Sequence, residues 1–140
     1  MNYGRILLAG LVGTIVYFLV GGLVIAKLIA KFYAPFPGVY RSAEMVQQHI
    51  PIGLTSTFLA ILFLAVIYAV GYKGDAGIRE GFRFGVLVGI FFACAVVGDE
   101  YVTLNIGRGL AVAMALGRLV GWVIVGTTIG LVYKPAKISG

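Results

Sequence analysis

One cysteine, one histidine and five acidic side chains are all this 140-residue sequence offers of the groups most used in metal binding and proton chemistry. With Cys94 alone, no disulfide closes within the chain, and one copy cannot build a cysteine-based metal cluster. With His49 alone, the histidine pairs of zinc sites are missing. Glu44 stands five residues from it, not the three or four that align two ligands on one helical face. Ser42 and Ser56 have no neighbouring histidine, and no glycine-rich loop ends in the lysine-serine or lysine-threonine of a phosphate cradle. The sequence therefore predicts no catalytic residue, no metal and no cofactor.

Charge is scarce as well. Only 11% of residues are charged and 61% are hydrophobic, a balance that marks membrane proteins and not soluble ones. The net charge of +6 would suggest nucleic acid in a soluble chain. Here the basic residues gather where apolar runs end, so lipid headgroups are the nearer partner and nucleic acid is not expected.

The long apolar runs give the fold class. Ile6 to Ala26 and Ile52 to Tyr72 are uncharged over 21 residues each, matching the ~20 residues that cross ~30 Å of hydrocarbon. Gly81 to Tyr133 supplies two more runs, broken near Asn105-Ile106-Gly107-Arg108. The expectation is an all-α, integral membrane bundle of four antiparallel transmembrane helices, in one domain over residues 1–140, with spans at about 6–28, 52–72, 82–104 and 110–133. The first run is about twice the length of a signal-peptide core, and Pro35 follows Ala34 where a cleavage site would be sought, so it is read as a span. The 21 glycines fit the same picture, because small residues let helix backbones approach in lipid.

Between the first two spans, Phe32 to Pro51 is the one long connection. Pro35 and Pro37 prevent a helix from running through it. Ser42 is placed to cap a short interfacial helix reaching His49, with Met45, Val46 and Ile50 as its apolar side. Phe32, Tyr33, Phe36 and Tyr40 are expected in an aromatic belt, and the whole connection as an outer lid. Arg5, Lys73, Arg79, Arg83, Lys134 and Lys137 fall on one side of an even-span chain, against Lys27, Lys31, Arg41 and Arg108 on the other. That count places both termini in the cytoplasm of a bacterial-type inner membrane, with anionic headgroups at the basic inner rim.

The small multidrug resistance transporters resemble this chain in size and in having four short spans, but they depend on a glutamate in the first helix. The first span here has no acidic residue. Leu11-Val12-Gly13 with Val20 and Gly22 recurs as Leu87-Val88-Gly89 with Val96 and Gly98, and the even spans end alike in Tyr72-Lys73 and Tyr133-Lys134. The connections after spans one and three differ greatly in length, which weighs against a duplication. Gly-Asp-Glu-Tyr and the closing Gly-Leu-Val-Tyr-Lys-Pro give a layout similar to small bacterial four-span proteins, a likeness that transfers no residue roles.

Three charges stand where lipid should be: Asp99, Glu100 and Arg118. From a turn centred near residue 108, Glu100 lies eight residues back and Arg118 ten forward, roughly 12 and 15 Å along the helices. Charges at matching depth on neighbouring helices are expected to face each other, since an unpaired one in hydrocarbon costs at least a few kcal/mol. At 100° per residue, Glu100 shares a face with Gly89, while Asp99 points elsewhere. Thr103, Asn105 and Arg108 continue a polar strip toward the turn as a candidate entrance, and Trp122 stands one turn beyond Arg118.

Gly81, Gly85, Gly89 on the third span, and Gly117, Gly121, Gly126, Gly130 on the fourth, form ribbons for close helix contact. In an ideal hairpin Gly85 comes level with Gly130, and Gly89 with Gly126. Cys94 is expected to pack inside the third span. Two functions follow from this hairpin. One is a non-enzymatic accessory or scaffold protein, whose ribbons contact a membrane-complex partner and whose charges set register. The other is a small homo-oligomeric transporter or channel, in which Asp99 and Glu100 bind a cation or proton and Arg118 tunes them.

Overall fold

The computed structural model describes residues 1–74 and 77–133, which leaves Asp75, Lys134 and Lys137 outside the described residues. Four helical runs are long and apolar enough to cross a membrane: Tyr3–Tyr33, Ala43–Gly71, Gly77–Thr103 and Arg108–Val132. Their outward faces are apolar too, with Leu19, Leu23, Phe63, Val70, Leu87, Phe91 and Leu116 all exposed. Such faces are compatible with lipid and would be an aggregation hazard in water.

The runs are not uniform. Span 1 begins with α1 (Tyr3–Tyr17), where the Asn2 side chain accepts the Arg5 N–H at 3.2 Å. It then widens into a π-helical stretch, Phe18–Ile25, and resumes as α2 (Ala26–Tyr33). Adjacent Gly21 and Gly22 sit in the widened part, and glycine pairs are a recognised cause of local helix distortion. Span 3 is built the same way: α4 (Gly77–Phe92), a π-helical stretch at Ala93–Val97, then α5 (Gly98–Thr103). Span 2 is one helix, α3 (Ala43–Gly71), and span 4 is another, α6 (Arg108–Val132).

The expected separate helix from Ser42 to His49 is instead the first two turns of α3. Ser42 does cap it, accepting the Met45 N–H at 3.4 Å, but Pro51 lies inside the helix without ending it. Proline removes a ladder hydrogen bond here, and side chains add bonds to nearby carbonyls: Thr55 Oγ1 donates to the Pro51 carbonyl at 2.9 Å and Ser56 Oγ to that of Gly53 at 3.1 Å.

Span 4 is the central helix. A third of its most apolar window is buried, against 11% for span 2. It packs on α1 and the span 1 π stretch on one side and on α4 on the other. With α4 the contact is backbone on backbone: Gly77 and Gly81 lie against Gly130, Gly81 and Gly85 against Gly126, and Gly89 against Leu119. The register differs from the ideal hairpin by one to two turns, each α4 glycine meeting a residue closer to the connection. Two features account for the slip. The π turns at Ala93–Val97 take up more residues per turn, so span 3 is shorter than an α-helix of equal residue count. The chain is also extended at Leu104 and Gly107, which moves the centre of the turn below residue 108.

The first half of the expected α6 ribbon serves a different neighbour. Gly117 and Gly121 face Ile25 of span 1, not span 3. Cys94, expected inside the bundle, is exposed. It falls in the π stretch, where the face presented by each residue departs from the α-helical count.

Two apolar clusters close the bundle. The larger joins Ile6 and Ala9 of α1, Ile61, Ala65 and Tyr68 of α3, and Trp122, Val125 and Ile129 of α6. The smaller, near the α5–α6 turn, joins Val97, Ile106, Leu110 and Met114, and is covered by Phe32, Tyr33, Phe36 and Tyr40. These aromatics pack down on the turn, with the Phe36 ring directly against Gly107.

Candidate functional site: an ion pair beside an open groove

Glu100 projects from α5 and Arg118 from α6. The Cα–Cβ bonds of a helix lean toward its N-terminus, so Arg118 leans toward the Leu104–Gly107 connection and Glu100 leans away from it. Their side chains meet between the two positions. Arg118 Nη2 donates to Glu100 Oε1 at 3.0 Å and to Oε2 at 3.3 Å, one nitrogen straddling both oxygens. The side chains are 31% and 26% exposed, so the pair is half-buried instead of lying in the core.

The lid contributes next. Tyr40 donates its hydroxyl to Met114 Sδ at 3.6 Å and stacks edge-on against Tyr33 at 4.9 Å. Its phenol is pushed above the ordinary value first by burial, then by the nearby Glu100 carboxylate, with Arg118 pulling the other way.

The rest of the proposed polar strip does not join the pair. Asp99 is exposed, and its backbone carbonyl accepts the Thr103 hydroxyl at 2.8 Å. Thr103, Asn105 and Arg108 are exposed around the turn, and Arg108 forms no ion pair with Asp99 among the described residues. Trp122 stacks on Phe92 at 4.6 Å and leans on Tyr17 at 5.3 Å, so it takes an aromatic neighbour on each side and not the guanidinium. His49 turns Nδ1 to the Met45 carbonyl at 2.7 Å, within its own helix.

Beside Arg118 lies a groove of about 620 Å³ between span 1 and α6. Tyr17, Gly21, Ile25, Ile29 and Tyr33 form one wall, and Met114, Gly117, Arg118 and Gly121 the other. Glu100 stands behind Arg118 and is not part of the wall. The π stretches of spans 1 and 3 both pack on α6. Wide turns of this kind occur often at functional sites.

A second polar cluster escaped the sequence reading. Glu80, in the first turn of α4, accepts the Lys73 backbone N–H at 2.8 Å through Oε1. Its Oε2 and the hydroxyl of Tyr68 are buried without a hydrogen-bond partner among the described residues. Tyr68, Tyr72 and Tyr133 form a mutual ring cluster at 5.6 to 6.0 Å. The matching Tyr-Lys endings of the even spans were the available signal, since their tyrosines are the ones that meet.

Comparison of the chain with protein-family models, with curated proteins and with solved structures finds no match. The four apolar helices make it a membrane protein, and its role has to be argued from the site.

Proposed function

We propose that this chain is a non-enzymatic accessory or scaffold protein of a bacterial inner membrane. The observation that carries this reading is the closed pairing of Glu100 with Arg118 on neighbouring spans. A carrier or channel for protons or cations needs a group free to exchange its charge. Here the carboxylate is held by a guanidinium, and no second acidic or basic side chain forms an ion pair with either among the described residues. A pair of this kind is suited to fixing the register of two helices that are otherwise glycine-smooth.

The bundle is read as antiparallel between spans 3 and 4, because residue numbers rise on α4 as those of their α6 partners fall. Both termini are assigned to the cytoplasm on six basic residues against four at the opposite ends of the spans. The basic rim then meets anionic lipid, and the exposed apolar faces are available to a membrane-complex partner or a second copy.

A small homo-oligomeric transporter is the second reading, favoured by the π stretches that flank Arg118 and by the open groove. The mass and composition of the protein extracted in a mild detergent separate the two. Stoichiometric recovery with other chains supports the accessory role. A homogeneous homo-oligomer overturns it in favour of transport, to be followed by flux assays on Glu100 and Arg118 variants.

A further inference from the structure

The free polar groups of the span 1 groove all carry a donor. Arg118 spends only Nη2 on Glu100, and its Nε and Nη1 donors have no partner among the described residues. The hydroxyls of Tyr17 and Tyr33 likewise form no hydrogen bond there, and no carboxylate lines the wall. The guanidinium only donates while the hydroxyls donate or accept, so a ligand that fits must bring at least one acceptor for Arg118. It need not bring charge, since Glu100 already neutralises Arg118 and an added anion would leave the site with net negative charge in a low-dielectric setting. Neutral carbonyl oxygens meet both conditions.

The shape adds a second requirement. One end of the groove is Tyr17, whose ring is tilted against Trp122, which in turn stacks on Phe92. A flat ring extends such a stack at favourable spacing. The remaining wall, Ile25, Ile29, the glycines and Val46 of α3 among it, is apolar. The volume of about 620 Å³ falls within the range of small-molecule sites.

We propose that this groove binds a neutral, ring-bearing carbonyl amphiphile of the membrane, a lipid-soluble quinone, with its head between Tyr17, Arg118 and Tyr33 and its tail leaving past Ile25 and Ile29 into lipid. The inference rests on the groove and on the membrane setting. It is independent of whether the protein is an accessory subunit, which is tested on subunit composition.

Trp122 is the only tryptophan, so the chain carries its own probe beside the groove. The experiment is a titration of the full chain, in quinone-free micelles, with decyl-benzoquinone, reading quenching of Trp122. Gly21→Leu is the variant that fills the groove: a Cβ there finds its nearest atom, Tyr17 Cζ, at 4.0 Å, so the side chain can start without a clash, and Gly21 is not one of the ion-pair residues. Arg118→Lys keeps the charge and removes the guanidinium fork. Saturable quenching in the wild type, weakened at least about tenfold in both variants, with thermal melting unchanged in Gly21→Leu, is the expected result. Equal, non-saturating quenching in wild type and Gly21→Leu would mean partition into the micelle and overturn the proposal. So would displacement of the quinone by lower concentrations of decanol or myristate, which would make the groove a site for alkyl chains or for anions.

Discussion

Gly126 faces Gly85 across the α4–α6 contact with no space for a methyl group on either, so spans 3 and 4 touch there through their backbones. In lipid the association of helices depends on such packing, because burying apolar side chains gains little over leaving them in hydrocarbon. Gly126→Val is expected to destabilise the bundle by about 1–3 kcal/mol, in the range of overpacked interiors. Gly22→Ala, where nothing lies within 4 Å of the added carbon, is expected to be neutral or slightly stabilising. Denaturation in mixed micelles, followed by Trp122 fluorescence, measures both. Equal effects at the two positions would show that helix propensity, not the contact, is being read.

The ion pair makes a prediction of a different form. Removing one partner leaves the other charge in a largely apolar setting, so Glu100→Gln and Arg118→Met are each expected to destabilise by a few kcal/mol. The double variant is expected to recover most of that loss, since two neutral side chains leave no charge uncompensated. A double-mutant cycle on unfolding free energies reads the coupling directly. Additive losses in the double variant would mean that the contact at 3.0 Å contributes no register and that each residue acts through separate neighbours.

How much of this was legible depends on which signals survive local irregularity. A charge inside an apolar run is visible whatever the detailed geometry, so Glu100 and Arg118 could be matched by depth alone. Glycine register could not, because it needs every residue between Gly89 and the turn counted at a fixed rise, and the π stretch at Ala93–Val97 breaks that count. The same stretch accounts for Cys94 facing outward. Glu80 was passed over for the opposite reason: at a span end a carboxylate is ordinary, and only the packing of Tyr68 against it reveals two orphan oxygens. The short helix after Ser42 was not joined to span 2 because its continuation through Pro51 depends on the bundle re-satisfying the freed backbone groups.

Tyr68 offers a test of that inner cluster. Its hydroxyl is buried without a partner, while its ring packs edge-on against Phe84 at 5.4 Å and Tyr133 at 5.9 Å. Phenylalanine keeps the ring contacts and removes the desolvated hydroxyl. Tyr68→Phe is therefore expected to stabilise the fold by about 1 kcal/mol or more. Glu80→Gln, by contrast, keeps an acceptor for the Lys73 N–H and is expected to change little. A loss of stability in Tyr68→Phe would instead point to an ordered water joining its hydroxyl to Glu80, and water-exchange measurements on the cluster would then identify it.

Tyr40 supplies the pH dependence. Its phenol is raised above the ordinary 10.0, first by burial and then by Glu100. The folded chain thus holds this proton after the unfolded chain has released it. Between the two pKa values the unfolded state binds fewer protons, so stability falls as pH rises. The contribution is present in full below about pH 10 and is lost as the pH climbs through the folded value. Phenolate absorbance, taken as wild type minus Tyr40→Phe, isolates the group among the eight tyrosines. Glu100→Gln is expected to bring the titration down without restoring the ordinary value, because burial is the larger cause. Arg118→Lys keeps the opposing positive charge and is expected to move it less. A Tyr40 that titrates at its ordinary pH in the wild type would mean that the lid does not stay closed over Met114, and the cover that it provides beside the ion pair would have to be withdrawn.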